Sequence, residues 1–241
     1  MTFANAQNGT KQAIIDAVNE YASNRPRSLQ VEVGASSIGT ACQRQLGYKL
    51  LNTRKQSVEK DPGWMTQIGT AVHTYLENIF STNDRYLTEQ PVEIRYADFF
   101  IPGTVDLYDK QTNTVIDFKI VGEATLSKAK RKDISTQYQV QVSLYALGLK
   151  QAGHRVDNVA ILFMPRNKEL KDAVMWEQPF DPKIAEAYIQ RYHSTRMLTS
   201  QLGVKALETM LTANAPCMWC DWFNPDAATV AEGCKGTTKQ A

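Results

Sequence analysis

Hydrophobic residues recur along this chain with two periods. Two short apolar runs, residues 104–108 and 114–120, flank the polar segment 109–113. That alternation predicts a β-hairpin with a longer loop. Its centre falls between Gln111 and Thr112, which sets Asp106 opposite Asp117. Opposed residues on antiparallel strands have Cβ atoms about 4.5–5.5 Å apart. Asp117 and Lys119 then share one face, and Phe118 points to the other. Further strand-like pieces cover 91–96, 158–164 and 173–180. The other period is helical. Residues 11–24 read as an amphipathic helix with Ile14, Ile15, Val18 and Tyr21 on one face, after a polar, frayed start at 1–10. Residues 25–28, with Pro26, break it. A helix start at 36–39 leads into a helix holding Cys42, Arg44 and Tyr48. Residues 52–63 form a polar loop, and 64–80 a helix holding Gly69, Thr70, His73 and Glu77. Residues 134–151 form a strong helix closed by Gly153. Pro182 opens the longest helix, running to about residue 211.

Strands bracketing one well-marked helix predict a mixed α/β core with helical additions at both ends. The chain of 241 residues is long enough for a substantial core. A net charge of +2 makes no global basic field, so any nucleic-acid surface is local. No run of about 18 apolar residues is present, and no membrane span is expected. The N-terminus lacks a charged start followed by an apolar segment, so it does not read as a secretory signal, and a cytoplasmic protein is expected.

Two carboxylates this close repel unless one is protonated or a cation lies between them. Hard oxygen ligands suit Mg2+ or Mn2+. Asp106, Asp117 and Lys119 would then carry out metal-assisted phosphodiester hydrolysis, with Lys119 orienting water or balancing charge in the transition state. The alternative is a surface strand with alternating charges. Against it, Asp117 and Lys119 sit among Val115, Ile116, Phe118 and Ile120, and buried charge needs a partner. Gln137, Gln141 and Tyr145 follow at i, i+4 and i+8, along one helical face. Lys128, Lys130, Arg131 and Lys132 form a local basic cluster, which either contacts phosphates or is a solvated face.

Four cysteines include the pair Cys217-Met-Trp-Cys220, then Cys234 after 13 residues, and Cys42 far upstream. Four thiolates suit zinc or an iron–sulfur cluster. Trp219, Trp222 and Phe223 beside them either pack around the site or stack on bases.

The set GTVD (103–106), DFK (117–119) and QVSLY (141–145) resembles the PD-(D/E)xK nuclease superfamily, in its RecB-like branch with a QxxxY motif. IGTAVHTYLE (68–77) resembles the helix that supplies a metal-binding histidine in that branch, here His73. The resemblance spans about residues 36–234. It implies a restriction-endonuclease-like core, with His73, Asp106, Asp117 and the Ile120 carbonyl holding Mg2+ or Mn2+. It implies catalytic roles for Asp106, Asp117 and Lys119, with Gln141 and Tyr145 positioning the lysine or DNA. Val105 stands where the motif has proline, and Asp117 where many members have Glu.

One N-terminal cysteine plus three near the C-terminus resembles the CRISPR-associated and AddB-type nucleases. That likeness implies a structural 4Fe-4S cluster on Cys42, Cys217, Cys220 and Cys234, with zinc as the alternative. The spacing before Cys234 is longer than usual in the CRISPR-associated group. Arg44, Lys128, Lys130, Arg131, Lys132 and Gln137 are the expected DNA contacts.

The expected organisation is an N-terminal helix and linker at 1–35 and one nuclease domain at 36–234. Within the domain lie a core at 64–181, a long helix at 182–211 and a cysteine-rich tail at 216–234; residues 235–241 form a flexible end. The expected activity is a metal-dependent DNA exonuclease of phage, recombination, repair or CRISPR-associated type, acting on single strands or duplex ends beside a recombination or CRISPR partner. A cluster- or zinc-stabilised DNA-binding module and a structure-specific endonuclease are the alternatives. No GxxxxGK motif followed by Ser or Thr appears, so ATP-driven translocation is not expected.

Overall fold

A computed structural model of the chain describes residues 3–23, 33–56, 64–212 and 217–237. A five-stranded sheet forms its centre, in the order β1 (Tyr86–Tyr96), β2 (Phe99–Asp109), β3 (Thr114–Val121), β4 (Asn158–Pro165), β5 (Val174–Pro179). Neighbours are antiparallel except β3 and β4, which run parallel. A parallel pair needs a crossover, and helices α5 (Glu123–Lys130) and α6 (Thr136–Gln151) supply it. Paired with β4 along its length and with β2 over Thr114–Ile116, and covered on both faces, β3 reads as an almost continuous apolar run, with Val115, Ile116, Phe118 and Val121 buried.

The remaining helices are α1 (Phe3–Ser23), α2 (Ala35–Ile38), α3 (Gln43–Leu50), α4 (Trp64–Phe80), α7 (Pro182–Leu202) and α8 (Ala206–Thr209). Helix α6 packs on one sheet face through Val140, Leu144 and Leu149, all fully buried. Each such side chain contributes about 1.5–3 kcal/mol of burial. Gly148 lets the helix close on β1, since a Cβ there would stand 2.9 Å from that of Val92. Helix α7 backs α6. On the opposite sheet face, Leu76 and Phe80 of α4 pack with Leu107, Ile116 and Phe118. A third cluster, around Tyr48, Leu207, Met210 and Trp222, joins α3 and α8 to the cysteine-rich end.

Four boundaries depart from the sequence reading. Helix α1 begins at Phe3 inside the stretch expected to fray, and Ile14 and Tyr21 of its expected apolar face stay exposed. Strand β1 starts five residues before Pro91; it is an edge strand, where a missing N–H is tolerated. Cys42 precedes α3 as its N-cap instead of lying in the helix, its sulfur accepting from the Gln45 N–H at 3.4 Å. Helix α7 stops at Leu202 because Gly203 adopts φ 57, ψ −138, a conformation that glycine tolerates without a Cβ clash. The expected break at Pro26, most of the loop's far half (57–63), the Trp219 side chain and residues 238–241 lie outside the described residues.

Candidate metal site and cysteine cluster

The site lies where β2 and β3 part. Their paired register runs Asp109↔Thr114, Tyr108↔Val115, Leu107↔Ile116, in the phase that the hairpin symmetry predicts, and ends one step before Asp106 and Asp117. There Asp106 turns into the opening strand gap and accepts from the Phe118 N–H through Oδ2 at 2.7 Å. Its Oδ1 lies 3.5 Å from Nδ1 of His73, which α4 brings in from the Phe118 side of the sheet. His73 also faces Glu89 Oε1 at 4.0 Å. One ligand atom from each of His73, Glu89 and Asp106 falls within 4.8 Å of the others. The bond to Asp106 holds the His73 imidazole above its usual pKa, against the effect of burial.

Asp117 and Lys119 project toward α6. Asp117 is fully buried, and burial pushes its pKa up while the neighbouring ammonium pulls it down. Lys119 Nζ lies 2.7 Å from Asp117 Oδ2. Oδ2 is paired with the ammonium and Oδ1 meets no donor, so the carboxylate keeps unused acceptor capacity in the interior. Lys119 also lies 3.1 Å from Gln141 Oε1, and Gln141 Nε2 donates to Tyr145 Oη at 2.9 Å. The Tyr145 ring fits against Gly103, where a Cβ would stand 2.8 Å from it. A chain Asp117–Lys119–Gln141–Tyr145 therefore runs inward from the strand gap.

Ile120 presents its carbonyl to Arg166 Nη2 at 3.3 Å, and a carbonyl keeps a second lone pair. Gln137 leaves the Gln141–Tyr145 stripe and donates to the Ser36 carbonyl at 2.9 Å, tying α6 to α2. Gln137 and Lys128 line a cleft of about 230 Å³ with Tyr138, whose ring lies 5.0 Å from Lys119 Nζ. Lys130, Arg131 and Lys132 are exposed around the end of α5, where cations complement the helix dipole.

Sequence reasoning missed Glu89 and Tyr138. Glu89 lay outside the strand begun at Pro91, although the β1–β2 register sets it beside Asp106. Its φ of 44 is left-handed, an uncommon conformation for a non-glycine residue and one found at functional sites. Tyr138 was legible: positions 138, 141 and 145 form an i, i+3, i+7 stripe.

The cysteines converge at the far end of α3. None forms a disulfide. Burial raises the Cys220 thiol pKa, and the nearby Cys42 and Cys234 sulfurs add to it. Cys42, Cys220 and Cys234 each accept a backbone N–H, from Gln45, Trp222 and Gly236. Gly236 (φ 85) fits beside Cys217, where a Cβ would stand 3.3 Å from its Sγ. Trp222 is buried and stacks on Tyr48 at 5.7 Å, so it packs in the lobe. Arg44, expected to face DNA, instead turns toward the lobe: it lies 3.7 Å from Cys234 Sγ and 3.4 Å from the Met210 carbonyl.

No family model matches this chain, and no curated protein matches it. Several solved structures are similar in fold, two of which follow. The protein SSO0001 aligns over 88% of this chain and 93% of its own, with a TM-score of 0.53 and 14% identity. An alkaline exonuclease from Laribacter hongkongensis aligns over 74% of this chain and 91% of its own, with a TM-score of 0.51 and 10% identity. No described helix is long and apolar enough to cross a membrane. The chain thus has a mixed α/β architecture, a five-stranded sheet between helices, that it shares with the Laribacter exonuclease: the PD-(D/E)xK fold.

Proposed function

We propose that the chain is a metal-dependent deoxyribonuclease that hydrolyses phosphodiester bonds from DNA ends, in recombination, repair or CRISPR-associated processing in the cytoplasm. The observation that carries this reading is Asp117, a fully buried carboxylate whose Oδ2 lies 2.7 Å from the Lys119 ammonium, whose Oδ1 has no partner, and which feels the charges of Asp106 and His73. Unsatisfied buried acceptors of this kind fit a hard divalent cation. His73, Glu89, Asp106, Asp117 and the Ile120 carbonyl are the donors for Mg2+ or Mn2+. Such an ion, when bound, lowers the pKa of water and polarises the phosphate.

The chain's own groups do the rest. The Phe118 N–H fixes the Asp106 carboxylate. Lys119, held between Asp117 and Gln141, orients the attacking water and offsets charge as it gathers on the phosphate oxygens. Water adds to phosphorus as the ester P–O bond breaks, leaving a monoester and an alcohol. Gln141 and Tyr145 hold the ammonium in place.

Wild-type protein degrades end-labelled linear DNA in Mg2+ or Mn2+, stops in EDTA and leaves circular DNA intact. Lys119→Ala loses cleavage and keeps DNA binding. Undiminished cleavage by that variant removes the site assignment, and cleavage of circles makes the enzyme an endonuclease.

We also propose that Cys42, Cys217, Cys220 and Cys234 hold a structural 4Fe-4S cluster. Cys42, Cys220 and Cys234 lie close enough for their sulfurs to act on one another, and each accepts a backbone N–H. Hydrogen bonds to the ligating sulfurs are a recurring feature of iron–sulfur clusters, where they tune the potential. Anaerobically purified protein is brown and contains four irons; colourless protein with one zinc overturns the assignment.

A further inference from the structure

The carboxylate site does not stand alone on β2. From Asp106 back toward Phe99, the paired register gives this strand no partner on its β3 side. Along that stretch Ile101 and Val105 are buried, while Phe100 and Thr104 are exposed and Pro102 half-exposed. Phe100, Pro102, Thr104 and Asp106 therefore share one face, leading away from the site. Six residues of strand span about 20 Å.

At the far end lies an open cleft of about 500 Å³, formed by the β1–β2 turn, α3 and α7. Phe100 and Pro102 line it, joined by Lys49, Phe99, Tyr192 and Arg196. The Phe99 ring is fixed: it stacks on His193 at 5.5 Å and 4°, and the Arg196 guanidinium lies 5.1 Å from its centre. Phe100 beside it is 54% exposed. Lys49 donates to Ser37 Oγ at 3.0 Å. Burial lowers the Lys49 pKa while the Asp221 carboxylate raises it, so Arg196 is the main cation of the lining, and Asp98 is the one acid there. Aromatic faces with cations along a groove suit single-stranded nucleic acid: bases stack and phosphates are neutralised.

We propose that this cleft holds the single strand of DNA that enters or leaves the carboxylate site along the exposed face of β2. The inference rests on the nuclease reading. It defines a footprint: about 20 Å corresponds to about six nucleotides at the 3.4 Å rise of stacked DNA. Strands shorter than that reach the carboxylates without filling the cleft.

The test uses the full chain and fluorescein-labelled oligothymidylates of about 3 and about 12 nucleotides in EDTA, with Phe100→Ala/Arg196→Ala and the milder Arg196→Lys. The double variant is expected to bind the 12-mer at least about tenfold more weakly, losing one stacked base and one cation, and to bind the 3-mer as wild type does. Arg196→Lys recovers most of the affinity. The double variant hydrolyses thymidine 5′-(4-nitrophenyl) phosphate in Mn2+ at the wild-type rate, which also shows that it is folded. Unchanged 12-mer affinity overturns the cleft, and so does an equal loss for both lengths. Length-dependent binding that needs Arg196, in a wild-type protein that cleaves no DNA, overturns the nuclease reading and leaves the cleft standing.

Discussion

Asp109 and Asp117 stand on either side of one turn, and both are buried, at 5% and 0% exposure. Their surroundings are opposite. Asp109 takes a two-pronged bond from Arg85, Nε at 2.8 Å and Nη2 at 2.5 Å, and a third from the Gln111 N–H at 2.9 Å. The Arg85 bond holds its carboxyl down at about 2. Asp117 has one ammonium, 2.7 Å from Oδ2, and no partner for Oδ1, and burial pushes its pKa up. Burial of a carboxylate alone says little about its role. A buried carboxylate whose acceptors are all used is an anchor, here for the β2–β3 turn. One whose acceptors are left open is costly to the fold, and such groups collect at functional sites.

That contrast breaks most visibly if each aspartate is replaced by asparagine. Asp117→Asn is expected to lower DNA cleavage by at least about a hundredfold, since it removes a ligand and the charge that holds Lys119. It should leave the melting temperature unchanged or raise it, because a buried charge disappears and Lys119 keeps Gln141 and the Tyr138 ring. Asp109→Asn should do the reverse. Cleavage stays near wild type, and stability falls by about 1–2 kcal/mol, limited by the 40% exposure of Arg85. Cleavage assays and thermal melts on the two proteins decide it. If Asp117→Asn unfolds the chain while Asp109→Asn does not, Asp117 is a structural partner of Lys119 and the comparison is inverted.

The same pair shows what the sequence carries. The phase of the β2–β3 pairing was legible because it depends on local alternation and the midpoint of one turn. The bounds of α4 and the strand cores of β3 and β4 were legible for the same reason: their periodicity is strong. Long-range partners were not. Nothing around Asp109 announces Arg85, which arrives from the start of β1, a stretch that Pro91 disguises as loop. Glu89 was hidden by the same proline. Arg44 shows the converse. Its charge suggested solvent and DNA, whereas the fold turns it toward Cys234, an environment no local pattern encodes. Gly203 was visible as a glycine, but its effect on α7 depends on a backbone angle that composition does not reveal.

Acid gives the smallest and most specific separation of the two aspartates. Asp109 has a folded pKa of about 2, below the ordinary 3.8, so it binds its proton more readily when unfolded. Its contribution is therefore fully present above about pH 4 and is lost as pH falls toward about 2. Asp117 is shifted the other way, so its charged form opposes folding at higher pH and its protonation relieves that cost. Wild type and Asp109→Asn should converge in stability as pH is lowered from about 5 to about 2, because the arginine fork is lost from the wild type alone. Denaturant midpoints measured across that range supply the test. A gap between the two proteins that stays constant down to about pH 2 would show that the Asp109 charge contributes nothing, and that the turn is held by its backbone geometry, including Asn113 at φ 51.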